Sequence, residues 1–209
     1  MSTSFEFLPE THSYIENGVT IPSVTQCLGA CGLVCYDHVP ADILQRKAEL
    51  GTAAHAACHY ADEGDLSWES VDHAVLPYVT AWMKFRNECD FAPKLLEFRG
   101  IGEVGGMKYG YTLDREGLFN GRDSIIEIKC TASVEVSWGP QTAAYELARR
   151  KIDGKVRSRV AVHLKPSGTY SLVKLDDVND YRVFQWALGL ESWKRAKGKR
   201  NVNDSNHNG

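Results

Sequence analysis

The stretch MKYGYTLDREGLFNGRDSIIEIK, residues 107–129, decides the fold. Met107 to Asp114 and Ser124 to Lys129 are rich in β-branched and aromatic residues and read as strands, with Asn120-Gly121 at the connection before the second. In a strand, residues two apart share a face, so Glu127 and Lys129 project together while Ile128 faces the other side. If the strand holding Asp114 lies beside this one, two carboxylates and an ammonium converge. Such a carboxylate pair is a hard oxygen site suited to Mg2+ or Mn2+. An adjacent lysine can orient or deprotonate a water, or stabilise charge growing on a phosphate. The competing reading is a solvated ion pair on a surface strand. Ile125, Ile126 and Ile128 imply a buried strand instead, and carboxylates at the end of a buried strand need partners.

Working outward, Leu95 to Glu103 reads as a further strand, joined to Met107 by a tight turn at Gly105-Gly106. Upstream, Phe5 to Glu16 alternates around Pro9-Glu10-Thr11 and predicts a hairpin. A short helix follows the Pro22-Ser23 start and ends near Gly32. A long helix is predicted over Ala41 to Ala61 with Gly64 as its stop, and another over Trp68 to Cys89, kinked or broken at Pro77. Downstream, Gln141 to Lys151 is helical. Val156 to Leu164 and Thr169 to Leu175 form a second hairpin around Pro166-Ser167-Gly168, and a last helix covers Val178 to Lys197. Strands and helices interleave without strict βαβ alternation, which predicts an α/β (α+β mixed) fold with a central mixed sheet flanked by helices. Residues 1–197 are expected to form one domain, with 198–209 a disordered polar tail.

At 209 residues, 43% hydrophobic and 24% charged, the chain can bury its own core without disulfides. No apolar run approaches the roughly 18 residues needed to cross a membrane, and the first residues carry no signal-peptide pattern, so a cytoplasmic location is the expectation. Cys27, Cys31 and Cys35 recur every fourth residue, but there is no CxxC pair, so small buried side chains are a better reading than a cluster. The net charge of −3 is unevenly placed. One basic stretch holds Arg149, Arg150, Lys151, Lys155, Arg157 and Arg159, and another holds Lys194, Arg195, Lys197, Lys199 and Arg200. Both fit phosphate contacts and solvated surface equally well.

Two further groups frame the central strands. Gly51-Thr52-Ala53-Ala54-His55 lies upstream, and Gln141-Thr142-Ala143-Ala144-Tyr145 lies downstream. His55 and His59 are one turn apart, yet the acid of a zinc-protease helix is missing between them. A lone helical histidine is more often structural. Gln141 and Tyr145 share a helix face, with Ala143 and Ala144 allowing close approach to the sheet.

Taken together, the order GTxxH, GxxxD, ExK, QxxxY resembles the nuclease domain of RecB-like proteins and lambda-type exonucleases, within the PD-(D/E)XK superfamily. His12-Ser13-Tyr14 and Ile21-Pro22-Ser23-Val24-Thr25 resemble the opening of small phage-associated members, so the likeness covers about residues 5 to 150. The resemblance implies a restriction-endonuclease-like core. It assigns Asp114 and Glu127 as metal-binding acids, Lys129 as the catalytic lysine and His55 as the histidine completing the metal site, with the Ile128 carbonyl as a further contact. Gln141 and Tyr145 become the pair that holds the lysine and DNA, and Glu97 the further acid, with Glu103 its rival. Leu113 stands where the superfamily name has proline.

The activity implied is a DNA exonuclease dependent on one or two Mg2+ or Mn2+ ions, leaving 5′-phosphates, in recombination, repair or phage DNA processing. An endonuclease on the same fold is the alternative, and a catalytically silent DNA-end-binding protein is the rival of another class. Iron–sulfur members carry three cysteines after QxxxY; here none follows Cys130, so no such cluster is expected. Ser23, Thr25, Thr52, Arg149 and Arg150 are candidate DNA contacts, though the hydroxyls could equally cap helices. A homo-oligomer is also open, because lambda-type enzymes close their cleft with a ring of subunits.

Overall fold

Gly105-Gly106 and Asn120-Gly121 both adopt left-handed backbone, with φ of 57°, 74°, 50° and 73°. Two-residue hairpin turns of type I′ require this conformation at both central residues. They fold the central stretch back on itself twice, giving Val104↔Met107 and Phe119↔Arg122 as the pairs that flank the turns. The computed structural model describes residues 5–11, 13–36 and 39–205, with the side chains of the last helix as far as Gly198. His12 and residues 206–209 of the expected tail lie outside the described residues.

The chain opens with β1 (Phe5–Leu8), β2 (Ser13–Glu16) and β3 (Val19–Ile21), a small antiparallel sheet. The predicted hairpin is its first two strands; β3 is too short to carry a periodic signal. Helices α1 (Val24–Ala30), α2 (Ala41–Glu63) and α3 (Leu76–Glu88) follow. Pro77 sits in the first turn of α3, where its missing N–H costs nothing, so it starts a helix. Only a single 3-10 turn, Trp68–Ser70, precedes it.

The main sheet holds β4 (Phe91–Val104), β5 (Met107–Phe119), β6 (Arg122–Lys129), β7 (Ser158–Leu164) and β8 (Tyr170–Lys174) in that order. All neighbours are antiparallel except β6 and β7, which α4 (Trp138–Asp153) joins as a crossover. The last helix, α5 (Asn179–Ser205), runs past Lys197, where the sequence predicted the polar tail to begin. Lys199 and Arg200 are good helix formers, and no proline interrupts the segment up to Ser205. The fold is thus a mixed sheet between helices, as the interleaved pattern predicts.

The isoleucines of β6 explain why the sheet is buried on both sides. Ile126 and Ile128 enter one core with α2, α3 and β7, built around Ala54, Cys58, Trp82 and Phe85. Ile125 enters the other, with Val24, Tyr109, Tyr145 and Phe184 from α1, β5, α4 and α5. A strand covered on both faces reads as a continuous apolar run, and its end is where polar groups can gather.

Candidate active site

The β5–β6 ladder ends at Arg115↔Ile126, so Asp114 and Glu127 occupy the next facing positions, just past its last pair. There the Ile128 N–H donates to Asp114 Oδ2 at 2.7 Å, giving that backbone donor a carboxylate partner. The convergence foreseen from the strand pattern is present: both acids are buried, and Lys129 follows on the same strand.

On one side of this strand end lies a carboxylate–imidazole group. Asp114 Oδ1 is 3.4 Å from His55 Nδ1 on α2. Ligand atoms of His55, Glu97 and Asp114 all lie within 4.8 Å of one another. Glu97 reaches them through an unusual backbone: its φ of 46° is left-handed, in the middle of β4. A non-glycine residue there is strained, and the twist takes Glu97 out of the ladder between Leu96↔Arg115 and Phe98↔Leu113. Its rival Glu103 is elsewhere, 3.5 Å from Lys151.

On the other side runs a hydrogen-bonded chain from α4. Lys129 Nζ donates to Gln141 Oε1 (2.8 Å) and Glu127 Oε1 (3.1 Å). Gln141 Nε2 donates in turn to Glu127 Oε1 (2.9 Å) and to the Tyr145 hydroxyl (2.8 Å). The one-turn spacing of Gln141 and Tyr145 makes this possible, and the Trp138 ring adds a face 5.9 Å from the ammonium. Glu127 Oε2 is buried without a hydrogen-bond partner among the described residues.

These surroundings separate the two acids. Burial, then the Asp114 charge, push Glu127 up to about 7. Asp114 is also buried, but His55, Lys129 and Arg115 outweigh that and hold its carboxyl below the usual range. Burial works against charge on His55 and Lys129 as well. The Asp114 carboxylate on the histidine and the Glu127 carboxylate on the lysine win, raising both.

Behind the donors lies a network that sequence reasoning missed. Arg115, fully buried, donates to Asp62 Oδ2 (2.7 Å), Glu97 Oε1 (2.8 Å) and the Asp114 carbonyl (2.7 Å). Asp62 also accepts from Trp82 Nε1 (3.1 Å) and from Arg86. A charged residue inside a strand otherwise rich in core positions was the available signal.

The expected DNA contacts divide. Thr25 and Thr52 are exposed on the first turn of α1 and on α2. Ser23 is nearly buried and caps α1 in a capping box with Gln26. Arg149 is held by Glu116 (2.7 and 3.3 Å), and Arg150 pairs with Glu146 (3.4 Å). Arg157 and Arg159 are likewise paired, with Glu116 and Asp153, and with Asp180. This basic stretch therefore lies largely in internal ion pairs. A cleft of about 770 Å3 opens at the site, with Tyr36, Lys47, Leu50, His55, Lys129 and Ser133 among its walls.

The donor set fits a hard divalent cation: two carboxylates, an imidazole and the buried Glu127 oxygen alongside. Among the described residues no thiolate joins it; burial pushes the Cys58 and Cys130 thiols up.

Fold and site together define a mixed α/β protein with a partly buried acid–histidine–lysine constellation at the end of two central strands. No protein-family model matches the chain, and no curated protein matches it. The fold is similar to the crystal structure of a Eubacterium rectale protein named "Putative exonuclease", with a TM-score of 0.54 and 9% identity over 73% of this chain and 68% of that one. At this identity the likeness concerns the fold alone. A second solved structure, SSO0001, matches with a TM-score of 0.38 and 14% identity over 69% of this chain and 72% of that chain, a likeness too slight to build on. Among the described residues, no helix is long and apolar enough to cross a membrane.

Proposed function

We propose that this chain is a metal-dependent deoxyribonuclease of the RecB-like, lambda-exonuclease-like kind, hydrolysing phosphodiester bonds and leaving 5′-phosphates. The observation that carries it is Lys129, fixed by Glu127 and Gln141, beside the His55, Glu97 and Asp114 donors. The choice of end-directed over internal cleavage rests on the motif resemblance, because the likeness to the solved structure concerns the fold alone. The reading takes residues 1–197 as one catalytic domain acting in the cytoplasm, in recombination, repair or phage DNA processing.

His55, Asp114, Glu97 and Glu127 would hold one or two Mg2+ or Mn2+ ions, with the Ile128 carbonyl as a further ligand. When bound, the ion supplies Lewis-acid polarisation of the phosphodiester and offsets the charge of the acids. The protein's own groups then act as follows. Lys129 keeps its proton at neutral pH, because Glu127 and Asp114 raise it against burial. It therefore serves to stabilise charge growing on the phosphate. Gln141 holds both Lys129 and Glu127, so the ammonium cannot swing away, and Tyr145 fixes Gln141 in turn. Thr25 and Thr52 are free to meet backbone phosphates, which favours cleavage with little sequence preference.

The test is digestion of linear and circular duplexes, labelled at either end, in Mg2+ or EDTA. Wild type is expected to degrade linear DNA from an end only with Mg2+, and Lys129→Ala to lower turnover about 100- to 1000-fold. Cleavage of circles would favour the endonuclease alternative. Binding of ends without any digestion would mean a silent DNA-binding protein.

A further inference from the structure

The outer face of α5 carries a feature that the active site does not use. Its inner face, with Phe184, Ala187 and Leu188, is buried against α1, α4 and β5. Trp186 (69% exposed), Leu190 (37%) and Trp193 (59%) stand on the opposite side at i, i+4 and i+7, one continuous helical stripe. Arg182 and Lys197 continue the stripe at i−4 and i+11, both exposed and without an ion-pair partner among the described residues. Lys197 Nζ lies 5.9 Å from the Trp193 ring centre. No acidic side chain between 179 and 198 joins the stripe: Asp180 turns to Arg159 and Glu191 pairs with Arg195. A chain with net charge −3 thus presents an indole–leucine–indole stripe whose charged members, among the described residues of α5, are both cations.

We propose that this face of α5 is a single-stranded DNA site outside the catalytic cleft, with Trp186 and Trp193 stacking bases and Arg182 and Lys197 meeting phosphates. The inference rests on the DNA reading of the active site. Aromatic side chains interleaved with cations match a polyanion whose bases are free to stack. The two indoles are about 10 Å apart along the helix, against 3.4 Å between stacked nucleotides, so they engage separate bases of one strand. A second copy of this chain fits less well. Antiparallel packing that brings Trp186 onto the partner's Trp193 also brings Arg182 onto the partner's Lys197, since both pairings share one register, and like charges would face each other. Parallel packing sets each cation against its own copy. A duplex hides its bases from the indoles, so the site selects single strands.

The test is the anisotropy of labelled (dT)20 and of a blunt 20-base-pair duplex with the full chain in EDTA, alongside Mg2+-dependent digestion and light scattering. Trp186→Ala/Trp193→Ala should weaken (dT)20 binding at least about 10-fold and affect the duplex much less. Its thermal midpoint should stay close to wild type, because both side chains are exposed. Arg182→Gln and Lys197→Gln should each flatten the slope of log K against log salt by roughly 0.7. Unchanged (dT)20 affinity in the double tryptophan variant overturns the proposal. So does a wild-type dimer that this variant dissolves, which would give the face to a second copy. A wild type that digests DNA yet does not bind (dT)20 overturns this site alone; one that neither digests nor binds overturns the DNA reading as well.

Discussion

Arg115 and Glu116 are neighbours on β5, point to opposite faces of the sheet, and each anchors a buried network of charge. Arg115 gathers Asp62, Glu97 and, through Asp62, Arg86 on the α2–α3 side. Glu116 gathers Arg149 and Arg157 on the α4 side. Both networks pair charges that would otherwise be costly to bury, although Arg115 Nη2, Arg86 Nε and Arg157 Nε keep no hydrogen-bond partner among the described residues. Only the first ends in a group that is also a cation donor, because Glu97 lies beside His55 and Asp114. A buried ion pair alone is weak evidence of function; its connection to a donor set is the informative part.

The sharpest way to break this comparison is to remove one arginine from each network in turn. Arg115→Met should cost about 3–5 kcal/mol of stability, by leaving Asp62 and Glu97 short of their partner. It should also weaken Mn2+ binding about 10- to 100-fold, measured by titration calorimetry, because Glu97 loses the contact that aims it. Arg149→Met should cost about 1–3 kcal/mol in urea unfolding and leave Mn2+ affinity unchanged. Equal metal effects from the two variants would erase the distinction.

A third prediction uses pH. Glu127 titrates near 7 in the folded chain, above its ordinary value of 4.5. The unfolded chain therefore releases this proton first, and the stability tied to it is present below about pH 4.5 and lost as pH rises through about 7. In EDTA, wild type should lose on the order of 3 kcal/mol relative to Glu127→Gln across that window. A flat difference between the two melting curves would contradict the assignment. The smallest effect is expected of Tyr145→Phe, which removes one hydrogen bond to Gln141 and should cost about 0.5–1.5 kcal/mol, with turnover reduced less than by Gln141→Leu.

The two networks also show how far the sequence could be read. Asp114, Glu127 and Lys129 were accessible because strand periodicity and a two-residue turn place facing residues by short-range rules. His55 and Glu97 came only through the resemblance: nothing local says that a histidine between alanines on α2, or a glutamate in β4, turns toward Asp114. Arg115 and Asp62 were missed because a buried charge is recognisable by its partner, and theirs lies 53 residues away in the chain. For the same reason the stretch from Arg149 to Arg159 read as an open basic patch. Its partners Glu116 and Asp180 are distant in sequence, and folding turns most of the patch inward. Pro77 shows a smaller gap: proline marks a boundary, but whether it breaks or begins a helix depends on where the helix starts.

The most direct measurement is an anomalous difference map from crystals soaked in Mn2+. The account predicts a peak bounded by Asp114, Glu97 and His55, with Glu127 beside it, and loss of that peak in Asp114→Asn. Manganese bound elsewhere, or a peak that persists without the Asp114 carboxylate, would contradict it.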